Sequence, residues 1–153
     1  MNRAYLIDTA SQLKSVSKES AEEYSQKAEI LTAQMNLFML AKPDIDLLVG
    51  KNNLDMMKDN HANHIRFMAS IFRAFDPDVY VETILWVFRA YRSHGFTTLY
   101  WASQMSTWIN LLKSTLTPEC YQEVYPYYEW IQTNIPIFTK VSGEKLDSNK
   151  SMH

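Results

Sequence analysis

Two histidines three residues apart, His61 and His64, lie inside Leu54–Phe75, a run whose apolar residues recur at helical spacing. At about 100° per residue, Leu54, Met57, His61, His64, Ile65, Ile71, Phe72 and Phe75 fall within roughly 60° of Met68. Both imidazoles therefore sit on the stripe that should face the core. A buried imidazole needs a hydrogen-bond partner, a metal, a cofactor or water, because leaving it unpaired is costly. At this spacing the pair could ligate one ion from a single helix face, or could be two histidines hydrogen-bonded to neighbouring groups. Helical di-iron sites draw Glu-x-x-His motifs from two helices, and this chain has none.

A third histidine, His94, directly precedes Gly95 at the end of a second apolar stretch. One histidine from each of two facing helices could sandwich a haem or another flat group, with His94 as the iron ligand. The alternative is a helix-terminal imidazolium favoured by the negative end of the dipole. Arg89 and Arg92, near Trp86 and Tyr91, could hold a carboxylate such as a haem propionate or a bilin; such arginines also pair with local acids or stack on aromatic rings. Cys120, in the first turn of an expected helix, could have its pKa lowered by the dipole, or be a half-buried packing residue. There is no Gly-x-Ser-x-Gly, no glycine-rich phosphate loop and no acid–base pair that spacing can name. The sequence points away from an enzyme.

The elements that must position these groups read as helices throughout. Residues 4–41 lack both Gly and Pro and carry Leu6, Leu13, Val16, Tyr24, Ala28, Leu31, Met35 and Phe38 at helical spacing. This predicts one long amphipathic helix, or two joined near Ser15–Ser20, too long for a small core and so available to a second subunit. Pro43–Val49 reads as a short helix ended by Gly50, after which Asn52 or Asn53 can cap the histidine-bearing helix. Asp76-Pro77-Asp78 predicts a helix start, with Asp76 as N-cap and Pro77 at N1, running to about His94. Its segment Ile84–Phe88 is apolar all round, which predicts a central helix. Thr97 or Thr98 caps the next helix, and Thr117-Pro118 opens the last, which Pro126 should kink or split. Residues 1–138 form one domain in this reading, and 139–153 a flexible tail with little to bury.

Bulk properties restrict the partners. A net charge of −2 gives no electrostatic reason to expect nucleic acid or an acidic membrane. A single cysteine excludes an intrachain disulfide and a multi-cysteine zinc site. No apolar run is long enough to span a bilayer, and Met1–Leu13 lacks a charged-then-apolar leader, so a cytoplasmic location is the expectation.

The succession of helices, with the phrases Asn-His-Ala-Asn-His-Ile-Arg-Phe-Met at 60–68 and Trp-Val-Phe-Arg-Ala-Tyr-Arg-Ser-His-Gly-Phe at 86–96, resembles a globin-type sensor domain. It is similar to the amino-terminal domains of bacterial stressosome sensors and globin-coupled sensors over roughly residues 20–138. The resemblance implies an all-α, globin-like fold with an extra long amino-terminal helix, through which the chain forms a homodimer. It implies a non-enzymatic sensor or signalling interaction domain with a ligand pocket between the 54–75 and 77–94 helices, acting on a separate signalling protein. By position, His94 would be the proximal haem ligand and His64 or His61 the distal residue. The other two readings are a haem-binding globin that senses gas or binds oxygen, and a ligand-free helical scaffold.

Overall fold

The computed structural model describes the backbone of residues 1–151 and side chains as far as Glu144. Every regular element among them is helical: α1 (Arg3–Ala10), α2 (Lys18–Gln26), α3 (Ala28–Leu40), α4 (Ile45–Val49), α5 (Leu54–Arg73), α6 (Pro77–Ser93), α7 (Thr98–Thr115), α8 (Pro118–Thr133) and α9 (Ile135–Ser151). The fold is all-α. No helix among the described residues is long and apolar enough to cross a membrane.

Several boundaries follow from local chemistry. The Asp76 carboxylate accepts from the amides of Asp78 and Val79, and Pro77 follows where its missing N–H is not needed. Thr117 accepts from the Cys120 amide and is likewise followed by proline. Gly50 ends α4 at φ 91°, and a side-chain carbon there would stand 3.0 Å from the Gly95 carbonyl oxygen. Glycine is therefore required both by the backbone and by the close approach of the α6–α7 turn. That approach is held by hydrogen bonds. The Thr97 amide and hydroxyl both donate to the Leu48 carbonyl, and Asn53 Nδ2 donates to the carbonyls of Val49 and His94 at 2.8 Å each. Asn53 precedes α5 as expected, but its side chain ties two turns together instead of capping the helix.

The amino-terminal segment is not one long helix; it breaks near the serine-rich stretch, as the two-helix alternative allows, and again at Lys27. Residues 11–17 turn the chain between α1 and α2, and a bend at Lys27 separates α2 from α3. The break is built by α8. Tyr127 donates to the Lys14 carbonyl at 2.6 Å, and the Glu123 carboxylate accepts from the amide and hydroxyl of Ser17 and the hydroxyl of Ser20. In exchange, Glu23 on α2 accepts from the amide (2.8 Å) and hydroxyl (2.7 Å) of Thr117, the N-cap of α8. Each of these two helices thus anchors the first residue of the other. Leu6, Ala10 and Tyr24 are fully buried, α1 against α6 and α2 against α5 and α8.

Three further expectations change. α6 is peripheral: it packs on α9 and α1, leaving Trp86 59% and Val79 48% exposed. Pro126 leaves α8 continuous, because it lies on the exposed side, where the carbonyl it leaves unpaired can meet solvent. The break comes instead at Asn134, whose buried side chain donates to the Trp130 carbonyl. The expected flexible tail is helical to Ser151. Phe138 and Ser142 are buried, and Arg92 donates to the Thr139 carbonyl and the Ser142 hydroxyl at 2.9 Å each. The rest of that expectation falls on side chains beyond Glu144 and on residues 152–153, outside the described residues.

Candidate functional site

α5 packs on α3 and α2, and α6 on α9 and α1, so these consecutive helices hardly approach one another along their backbones. Between them, floored by α7, lies a cavity of about 170 Å³. Met68, Phe88, Trp101 and Met105 form its buried side, while Asn63 and Trp86 are exposed at the opposite side. His64 is part of the wall.

The His64 ring is fixed on two sides. It stacks on Trp108 with centroids 4.9 Å apart and planes 25° from parallel. Its Nε2 lies 2.8 Å from the Tyr128 hydroxyl, which in turn lies 2.6 Å from the Tyr24 hydroxyl. Three helices thus contribute to one chain, the fully buried Tyr24 of α2 and Tyr128 of α8 and the part-buried His64 of α5. Burial holds the imidazole neutral, its pKa pushed down to about 3, with His61 adding to the effect. Burial also raises the pKa values of both tyrosines. All three groups are uncharged at neutral pH.

A second polar group borders the cavity. Asn60 Oδ1 accepts from the Tyr100 hydroxyl at 2.8 Å and from Gln104 Nε2 at 2.7 Å, and Gln104 Nε2 also lies 3.1 Å from the Tyr100 oxygen. One polar atom of each amide and the Tyr100 hydroxyl are thereby partnered within the group.

His61 turns elsewhere. It is fully buried, with Nδ1 2.6 Å from Asn36 Oδ1 of α3 and its ring edge-on to Trp108. Its Nε2 and the Trp108 indole nitrogen are both buried without a hydrogen-bond partner. Burial pushes the His61 pKa down to about 3 as well.

The structure separates the remaining predicted site residues from this cavity. His94 is exposed at the end of α6; the group it uses is its backbone carbonyl, bound by Asn53. Arg92 is engaged by α9. Neither borders the cavity. A haem between α5 and α6 does not fit these residues: the proposed proximal histidine faces away, and the volume is well below the roughly 300–1,000 Å³ of usual cofactor pockets. Among the described residues no three His, Cys, Asp or Glu side chains converge as metal ligands. Cys120 is buried and donates weakly to the Ser20 carbonyl, and burial raises its pKa to about 11, which fits the packing alternative and not a thiol activated by the dipole.

Tyr24, Tyr128, Asn60 and Gln104 were not singled out from sequence. Asn60 had a usable signal, lying one turn before His64 on the same face. The tyrosines had none, because their hydroxyl partners lie on other helices. The chain matches no family model, no curated protein and no solved structure.

Proposed function

We propose that this chain is a non-enzymatic, globin-like sensor or signalling interaction domain whose input is occupancy of the α5–α6–α7 cavity by a small ligand. One observation carries the reading: two consecutive helices stand apart around a mostly apolar void with a single histidine ring in its wall. A void of about 150 Å³ with apolar walls can remain dry and admit benzene. A ligand that fits better when α5 and α6 are in one arrangement than in another shifts the balance between them, and only that difference in affinity produces a signal. The shift would pass to a cytoplasmic signalling partner, as in the stressosome-type sensors that the sequence resembles.

The test is a titration of isotope-labelled protein with benzene, followed by amide shifts. Shifts clustered at residues 64, 84, 88 and 101, lost in Val87→Phe while the far-ultraviolet spectrum is kept, support the reading. Absence of binding up to benzene saturation overturns it.

The homodimer belongs to the same proposal, moved from the whole amino-terminal segment to α3. No charged residue occurs from Ile30 to Ala41, and Ile30, Leu37, Phe38 and Leu40 are 52%, 70%, 57% and 37% exposed. Their spacing sets Ile30, Ala33, Leu37 and Leu40 on one face, an apolar patch on the order of 400 Å², a size often tied to function. A second copy suits it, because an uncharged face meets its own image without repulsion and offers a charged partner nothing to hold. Light scattering at micromolar concentration should give a dimer that Leu37→Lys converts to monomer. A monomeric parent chain refutes this part.

A further inference from the structure

We infer that the cavity selects a neutral single-ring aromatic carrying one hydroxyl or amino group, bound with that group against His64. The inference rests on the cavity being a ligand site and names the ligand's chemistry.

Charge is excluded first. No Lys, Arg, Asp or Glu borders the void. A carboxylate or phosphate held deep inside it would lose its water and gain no counter-charge, which is prohibitive; the Arg66 guanidinium, bonded to the wall residue Asn63, lies on the exposed side. His64 does not supply that charge, because burial keeps it neutral. Arg92, the nearest cation in sequence to the wall residue Tyr91, is turned to α9. Size comes next. At about 170 Å³ the void exceeds the ~150 Å³ known to admit benzene by about the room of one small substituent. The walls then favour a flat guest, since Phe67, Phe88 and Trp101 offer ring surfaces for stacking or edge contact.

The polar group follows from which atoms remain. Asn60 and Gln104 bond to each other and to Tyr100, and His64 Nε2 bonds to Tyr128. Trp101 Nε1, in the same wall, is also unpartnered but can only donate; on the His64 ring the nitrogen left without a partner among the described residues is Nδ1. Its character depends on the direction of the tyrosine chain. When Tyr24 donates to Tyr128 and Tyr128 to Nε2, Nδ1 carries the proton and donates. When the chain runs the other way, Nδ1 accepts. A hydroxyl or amino group both donates and accepts, so it matches either state, whereas a ketone or ether matches only one.

Phenol, benzene and benzoate, titrated separately into the full chain at pH 7 and followed by amide shifts, test this. Phenol should bind about fivefold more tightly than benzene, the worth of one net hydrogen bond, and benzoate should not bind. His64→Phe should erase the phenol preference while keeping benzene binding. Equal affinities for phenol and benzene, or binding of benzoate as strong as phenol, overturn the inference and leave the cavity as an apolar site. Failure of all three to bind the parent chain overturns the cavity reading beneath it. The ranking on the parent chain decides the question even if the variant does not fold.

Discussion

Removing one oxygen from the middle of the Tyr24–Tyr128–His64 chain should destabilise the protein far more than removing one from its end. In Tyr128→Phe, the fully buried Tyr24 hydroxyl and the part-buried His64 Nε2 both lose their partner. Each buried polar group left unpaired costs about 1–3 kcal/mol, so the variant should lose about 3 kcal/mol. Tyr24→Phe removes the same atom, but Tyr128 can still donate to His64. Only one hydrogen bond is lost, for about 1 kcal/mol. For a chain of this size the difference of about 2 kcal/mol corresponds to roughly 4–8 °C in Tm. Urea unfolding followed by circular dichroism measures both variants, with unchanged m-values as the condition for comparing them. Equal losses, or a larger loss in Tyr24→Phe, would refute the reasoning, because the hydroxyls would then be acting separately.

The buried histidines make stability depend on pH. Their folded pKa values lie near 3, below the ordinary 6.5, so the unfolded chain binds protons that the folded chain refuses. Stability should be full above pH 6.5 and fall as pH drops toward 3, by up to ~1.4 kcal/mol per pH unit for each histidine. Unfolding curves at pH 7.5 and 5.5 check this, and His61→Gln should flatten the slope. The crossed anchoring of α2 and α8 acts at lower pH. Hydrogen bonds from Ser20 and Ser17 lower the Glu123 pKa; at Glu23, burial raises it, but the bonds from Thr117 and Lys27 outweigh that. Both contributions are present above about pH 4.5 and are lost as pH falls through the lowered values. Glu123→Gln should cost about 1 kcal/mol at pH 7, and the cost should shrink as the pH falls through the lowered pKa, read from unfolding curves extended into the acid range. His94→Ala, at an exposed site, should shift stability by less than about 0.5 kcal/mol in a thermal scan.

What could be read from the chain was what a few neighbouring residues decide alone. Asp76-Pro77 and Thr117-Pro118 start helices because cap and proline act within one turn, and Gly50 and Gly95 end them with the positive φ that glycine allows. The inward stripe of α5 was legible because it depends only on helical period. What failed depended on distant partners. The break near Ser17 is made by Glu123, 106 residues away, and the His64 contact by Tyr128, 64 residues away. Trp86 belongs to an apolar run that periodicity places inside, yet α6 has neighbours on only part of its circumference. Histidine as a residue type suggested a ligand at His94, whereas its position at a turn made its carbonyl the useful atom.

The Asn53 amide has a mechanical consequence for whatever enters between α5 and α6. These helices are joined at one end by the three residues between Arg73 and Pro77, and at the other by Asn53 bonded to the last carbonyl of the α6 turn. A pair fastened at both tips cannot open like scissors. Its gap widens only if a helix bows, and helices resist bowing. The two arrangements that a ligand would bias are therefore ones in which α5 or α6 bows between fixed tips, not ones in which the pair splays.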